Sequence, residues 1–221
     1  MTDELSIKEL SLVVEAQIKT VFECKMTGLA PREDSRSFGG FIQKQITDNL
    51  AQICAGIGCE PEKLPGKKSL FDFAFRMNGR RVGVDIKTKD ADKGAFSDGG
   101  ICTVENVLKF LANENGIFLV AEIGHVRAST DSLLRDIKYI HVAPFIGFPF
   151  DSYRIANLGT GQIRSSSLAV MLEKIEWERT CSEFCREFAD KIEEHYKKVS
   201  RDANERLQKI KQFKENGYRN F

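Results

Sequence analysis

The dipeptide Asn78-Gly79 lies between two alternating apolar runs, Phe71 to Met77 and Arg80 to Lys87. Few short stretches constrain a fold as tightly, because both residues tolerate the positive φ that a two-residue hairpin turn demands. Such a loop pairs Met77 with Arg80 and sets every pair further out: Arg76 with Arg81, Phe75 with Val82, Ala74 with Gly83, Phe73 with Val84 and Asp72 with Asp85. Side chains alternate between the faces of a strand. Phe71, Phe73, Phe75, Val82, Val84 and Ile86 are therefore expected on one face, and Asp72, Asp85 and Lys87 on the other. Directly opposed like charges destabilise a ladder, and two adjacent carboxylates are costly unless a cation lies between them. On the same face Ala74 opposite Gly83 should leave a hollow, with the Arg76–Arg81 pair beyond it. A hollow between a metal site and two arginines suits a phosphodiester.

The flanking segments predict a mixed sheet covered by helices. Ile7, Leu10, Val14, Ile18 and Val21 fall at helical spacing within residues 4–25, and a second helix is expected from about Ser37 to Ala55, stopped by Gly56 and Gly58. Residues 27–37 form a polar linker, and 59–68 a loop carrying Lys63, Lys67 and Lys68. Asp90 to Cys102 is a long polar loop, the kind that in a compact domain usually serves function. Thr103 can cap a helix with Val104, Val107, Leu108 and Leu111 on one side, ended by Asn115-Gly116. Ile117 to Ile123 is apolar apart from Glu122, as expected of a central strand covered on both faces. A short helical turn at 130–136, a strand at 138–143, an irregular stretch at 144–167 and a helix from 166 to 175 follow. Residues 178–215 carry a long charged helical pattern whose end, beyond Tyr196, is rich in Lys and Arg. The expected organisation is one α/β domain over 1–175 with a C-terminal helical extension over 176–221.

Composition narrows the class. No run of about 18 apolar residues is present, so no membrane span is expected. The acidic, polar beginning is unlike a secretory signal, which implies a cytoplasmic protein. The 6 cysteines lack any CxxC spacing and read as reduced, small hydrophobes. A net charge of +1 neither favours nor excludes nucleic acid, since the placement of charge decides.

Three acidic-x-Lys triplets occur, at Glu23–Lys25, Asp85–Lys87 and Asp136–Lys138. Only the second is given a partner acid by a tight turn. Asp72 followed by Asp85-Ile86-Lys87-Thr88 resembles the PD-(D/E)xK nuclease superfamily, and the layout looks most like its type II restriction endonucleases. The resemblance covers about residues 37–124. It implies an αβββαβ-like restriction-endonuclease core and Mg²⁺-dependent hydrolysis of double-stranded DNA at a specific sequence. It also implies that Asp72, Asp85 and the Ile86 carbonyl hold the ion, that Lys87 serves the attacking water and the phosphate, and that Gln43 supports them. Many members carry Glu where Gln43 stands, which withholds one charge from the site.

For DNA, Arg76 and Arg81 lie beyond the acids, the polar loops at 89–100 and 159–167 supply Lys89, Lys93, Ser97, Asp98, Gln162 and Arg164, and Lys63, Lys67 and Lys68 join Lys89 and Lys93 as candidate phosphate contacts. A palindromic target calls for a homodimer, with the C-terminal helix as candidate interface. A cognate DNA methyltransferase is then expected as a genetic neighbour rather than a physical partner. Rival readings are another nuclease of this superfamily (a junction resolvase, a repair nuclease or a transposase subunit) and a DNA-binding module without chemistry.

Overall fold

The computed structural model describes residues 5–23, 35–64, 69–94, 100–113, 116–127, 135–156 and 161–215. The chain is a mixed α/β protein. A five-stranded sheet of order β1-β2-β3-β4-β5 comprises β1 (Pro61–Glu62), β2 (Phe73–Met77), β3 (Arg80–Asp90), β4 (Ile117–Arg127) and β5 (Arg135–Pro144). Only the β3–β4 pair is parallel; α4 (Val104–Asn113) lies in the connection between them.

One sheet face packs on α1 (Ile7–Glu23), α2 (Ser35–Asp48) and α3 (Leu50–Ile57). The helix ends follow local chemistry. Ser6 and Glu9 form a reciprocal capping box: the Ser6 N–H donates to Glu9 Oε2 at 2.8 Å, and the Glu9 N–H to Ser6 Oγ at 3.2 Å. The single helix expected between Ser37 and Ala55 is two helices, separated by a turn at Asn49 whose side chain donates to the Gln45 carbonyl. Gly58, at φ +81°, ends the second of them, while Gly56 stays inside it. Phe38, Ile42, Ile46 and Ile53 are fully buried against Phe73, Val84 and Ile123.

The opposite face packs on α4 and on the first turns of α6 (Cys181–Glu215). Its centre is an aromatic cluster in which Phe145 meets Phe118, Phe148, Tyr153, Phe184 and Phe188, with ring centroids 5.1–6.0 Å apart. Residues 144–167, expected to be irregular, contain a second hairpin of β6 (Tyr153–Ala156) and β7 (Gln162–Ser165). The helix expected at 166–175 is one short turn, α5 (Leu168–Met171), followed by 3₁₀ geometry. Arg135 and Asp136 begin β5, so they are strand and not the end of a helical turn; the rest of that predicted turn lies outside the described residues. No helix among the described residues is long and apolar enough to cross a membrane.

Candidate active site

The turn is as its sequence dictates: Asn78 has φ +49° and Gly79 φ +75°, and the five pairs from Met77–Arg80 to Phe73–Val84 form in the expected register. The ladder stops there. Residues 70–72 bend, so Asp72 is not the sixth rung opposite Asp85. Its N–H donates to the Val84 carbonyl at 3.0 Å, and its carboxylate takes over the ladder position beyond by accepting the Ile86 N–H on Oδ2 at 2.6 Å.

The bend moves Phe71. Instead of sharing a face with Phe73 and Phe75, its ring lies on the opposite side against Phe110 and Phe118, at 4.6 and 5.3 Å. There it covers Gly83, where an added Cβ would meet the ring at 2.4 Å. The hollow expected between Ala74 and Gly83 is therefore filled by an aromatic ring, and the glycine is required for close approach and not for access.

Around that bend the four predicted central residues meet. Gln43, from α2, donates Nε2 to Asp72 Oδ1 at 3.2 Å. Lys87 lies 2.9 Å from each oxygen of Asp85 and hydrogen-bonds Oδ1, whereas Oδ2 is buried without a hydrogen bond. Asp85 is only 5% exposed. Its burial pushes the carboxyl up to about 7; Lys87 opposes this and the Asp72 charge adds to it. Burial also raises Asp72, against the Ile86 N–H, Lys87 and Gln43. In each case loss of hydration outweighs the cationic partner, so the pair is short of positive charge.

A divalent cation would supply that charge. Two hard carboxylates, one with a buried oxygen held only by its ion pair to Lys87 at 2.9 Å, fit Mg²⁺, which keeps several waters and takes one or two carboxylates. Among the described residues no group of three His, Cys, Asp or Glu side chains is placed to hold a metal. The side chains that could hold such an ion are thus Asp72 and Asp85, with backbone and water completing the set. The Ile86 N–H bond to Asp72 holds that stretch of backbone beside both acids.

Sequence reasoning missed the polar surroundings. Glu122, the β4 neighbour of Lys87 in parallel register, is fully buried and accepts from Tyr139 Oη at 3.0 Å and Ser167 Oγ at 2.5 Å. In the sequence it reads as a lone exception in an apolar strand, and its register opposite Lys87 emerges only from the parallel pairing of β3 and β4. At the end of β3, Arg135 joins Asp90 at 3.1 Å and His125 Nδ1 at 2.9 Å, all three buried. Burial alone would raise Asp90, but Arg135 and Lys93 hold it below the usual carboxylate value. Asp90 is thus part of a cross-strand network rather than the start of a loop.

The expected DNA contacts divide. Arg76 and Arg81 face each other as predicted, but both meet Glu62 of β1, the Arg81 guanidinium at 2.7 Å and Arg76 at 3.9 Å. Lys89 lies within β3, is 4% exposed and donates to the Lys93 carbonyl, so it is not the loop lysine it was expected to be. Lys63 and Lys93 are exposed, the latter paired with Asp90 at 3.3 Å. Gln162 is half-buried at the start of β7 with its side chain over Gly100; Arg164 is exposed and pairs across the ladder with Arg154. Lys67, Lys68, Ser97 and Asp98 lie outside the described residues.

No family model matches the sequence, and no curated protein is significantly similar to it.

Proposed function

We propose that this chain is a Mg²⁺-dependent endonuclease of the PD-(D/E)xK type, hydrolysing phosphodiesters of double-stranded DNA, and that it acts as a type II restriction enzyme. The observation that carries the reading is the meeting of Asp72, Asp85, Lys87 and Gln43, with the buried Asp85 carboxylate held by Lys87 alone among the described side chains. The order of elements, a helix bearing Gln43, the β2–β3 hairpin, α4 and a parallel β4, supports a restriction-endonuclease-like core.

Asp72 and Asp85 would hold the ion, with the Ile86 carbonyl as a further ligand. The bound ion would lower the pKa of a coordinated water and offset the charge developing on phosphorus. Lys87 is held in place by Asp85 and contributes an ammonium beside the metal ligands. There it would orient the attacking water and bind the scissile phosphate, acting as a base only from its neutral amine form. Gln43 holds Asp72 in orientation through Oδ1, a neutral substitute for a charged helper. Glu122, fixed by Tyr139 and Ser167, closes the polar strip beside Lys87.

The test is digestion of plasmid and phage DNA with Mg²⁺ by wild type, Asp85→Ala and Lys87→Ala. Discrete bands from wild type alone support restriction. A smear, or cleavage confined to branched substrates, moves the reading to another nuclease of the same superfamily. Absence of cleavage across substrates and divalent metals removes the enzyme reading.

A further inference from the structure

The distal half of α6 leaves the body of the protein. Phe184 and Phe188 are fully buried, but Tyr196 is the point of exit, its hydroxyl lying against Gly161. Beyond it the helix continues to Glu215, about 28 Å at 1.5 Å per residue. Along this arm Leu207 and Ile210 are 56% and 46% exposed. Helices of this length are stabilised mainly by packing an apolar stripe, and Leu207 and Ile210 of this arm are left exposed by the described residues.

The arm has a seam. Tyr196, Val199, Ala203, Arg206, Ile210 and Phe213 follow one another at alternating spacings of three and four, the repeat of a coiled coil, with Arg206 the one charged member. We propose that this arm pairs with a second copy of the chain as an antiparallel coiled coil. In the register that sets Val199 opposite the partner's Ile210, Tyr196 meets the partner's Phe213 and Ala203 the partner's Arg206. The small Ala203 leaves space for the arginine stem.

The flanking charges select the direction. In that register Glu193 lies beside the partner's Lys214 and Asp202 beside the partner's Lys209, each pair occurring twice through the two-fold axis. A parallel pair would set Lys209 against the partner's Lys214, Asp202 against its Leu207 and His195 against its Ser200, with no opposite charges matched. The antiparallel overlap also runs from Glu194 to Glu215, so it uses the distal half of the helix and ends where α6 meets the body. The two bodies then sit at opposite ends of the arm pair. This assembly stands independently of the nuclease reading.

The test is sedimentation equilibrium of the full chain, with circular dichroism of each variant to verify folding. Wild type is expected to be a dimer. Lys209→Asp with Lys214→Glu should weaken the dimer by about tenfold, since exposed pairs contribute little each and four are reversed. Adding Glu193→Lys and Asp202→Lys should restore it. As an independent readout, Val199→Cys with Ile210→Cys should form an interchain disulfide above the wild-type background, and Val199→Cys alone should not. A wild-type monomer at all concentrations, including one whose basic arm binds DNA instead, overturns the proposal. So does failure of the fourfold charge reversal to restore the dimer, or cross-linking by Val199→Cys alone.

Discussion

Asp85→Asn should change stability in opposite directions at low and high pH in metal-free protein. The Asp85 carboxyl titrates near 3.8 in an unfolded chain and near 7 in the fold. Its folded value is raised, so between these limits the folded state binds more protons than the unfolded one, and stability falls as pH rises. Above pH of about 7 the loss is complete and amounts to roughly 4 kcal/mol, of order-of-magnitude accuracy. The Lys87 attraction is already contained in that figure, because the raised value is what remains after Lys87 has acted. Asparagine removes the titration but places an amide N–H₂ where Oδ2 lies buried without a hydrogen bond, a penalty of about 1–3 kcal/mol.

The variant should therefore be less stable than wild type near pH 4, by roughly that penalty, and more stable near pH 8, by roughly 1–3 kcal/mol. For a chain of this length the gain corresponds to about 2–4 °C in Tm per kcal/mol. Thermal unfolding across this range in EDTA is the assay. Mg²⁺ should then close the gap at the alkaline end by stabilising wild type alone, by about 1.4 kcal/mol at ten times its dissociation constant. A difference between the two proteins that does not vary with pH would refute the reasoning, since it would mean that Lys87 compensates Asp85 fully.

Other outcomes test the shell around the acids. Gly83→Ala places a methyl in the Phe71 ring at 2.4 Å and should destabilise by about 1–3 kcal/mol. An unchanged Tm would show that the ring is not held there. Gln43→Ala releases Asp72 Oδ1 and should raise the Mg²⁺ concentration for half-maximal cleavage by about 10–100-fold; an unchanged requirement removes Gln43 from the site. Phe145→Ala empties the centre of the aromatic cluster and should reduce the unfolding free energy by about 3–5 kcal/mol in denaturant titration. A loss below 1 kcal/mol would show that the cluster collapses around the gap.

The parts legible in the sequence were those written in short-range chemistry. Asn78-Gly79 dictates its own turn and five rungs of register, and the helical spacing from Ile7 to Val21 needs no tertiary knowledge. The reading failed where the chain leaves regular geometry. A period of two carried through Phe71 assigns that ring to the wrong face, because nothing local announces the bend at 70–72; only Gly83 across the ladder hints that a ring needs space. The same bend brings Asp72 and Asp85 together through a side chain bonded to the Ile86 amide, and not as opposed rungs. β1 escaped notice because it is two residues long, with Pro61 at a sheet edge where an N–H is dispensable. The β6–β7 hairpin was hidden by a Phe-, Pro- and Gly-rich context that resembles loop. Glu122, His125 and Arg135 depend on neighbours distant in sequence, which periodicity does not report.

The most direct measurement is the time course of supercoiled plasmid cleavage with Mg²⁺ and with EDTA, for wild type and Lys87→Ala. Lys87 is the cation held against Asp85 among the described residues, so its removal should slow cleavage at least about 100-fold while the DNA is still bound. The account predicts linear or nicked product from wild type only when Mg²⁺ is present. Cleavage that persists in EDTA, or proceeds at the wild-type rate in Lys87→Ala, would contradict it.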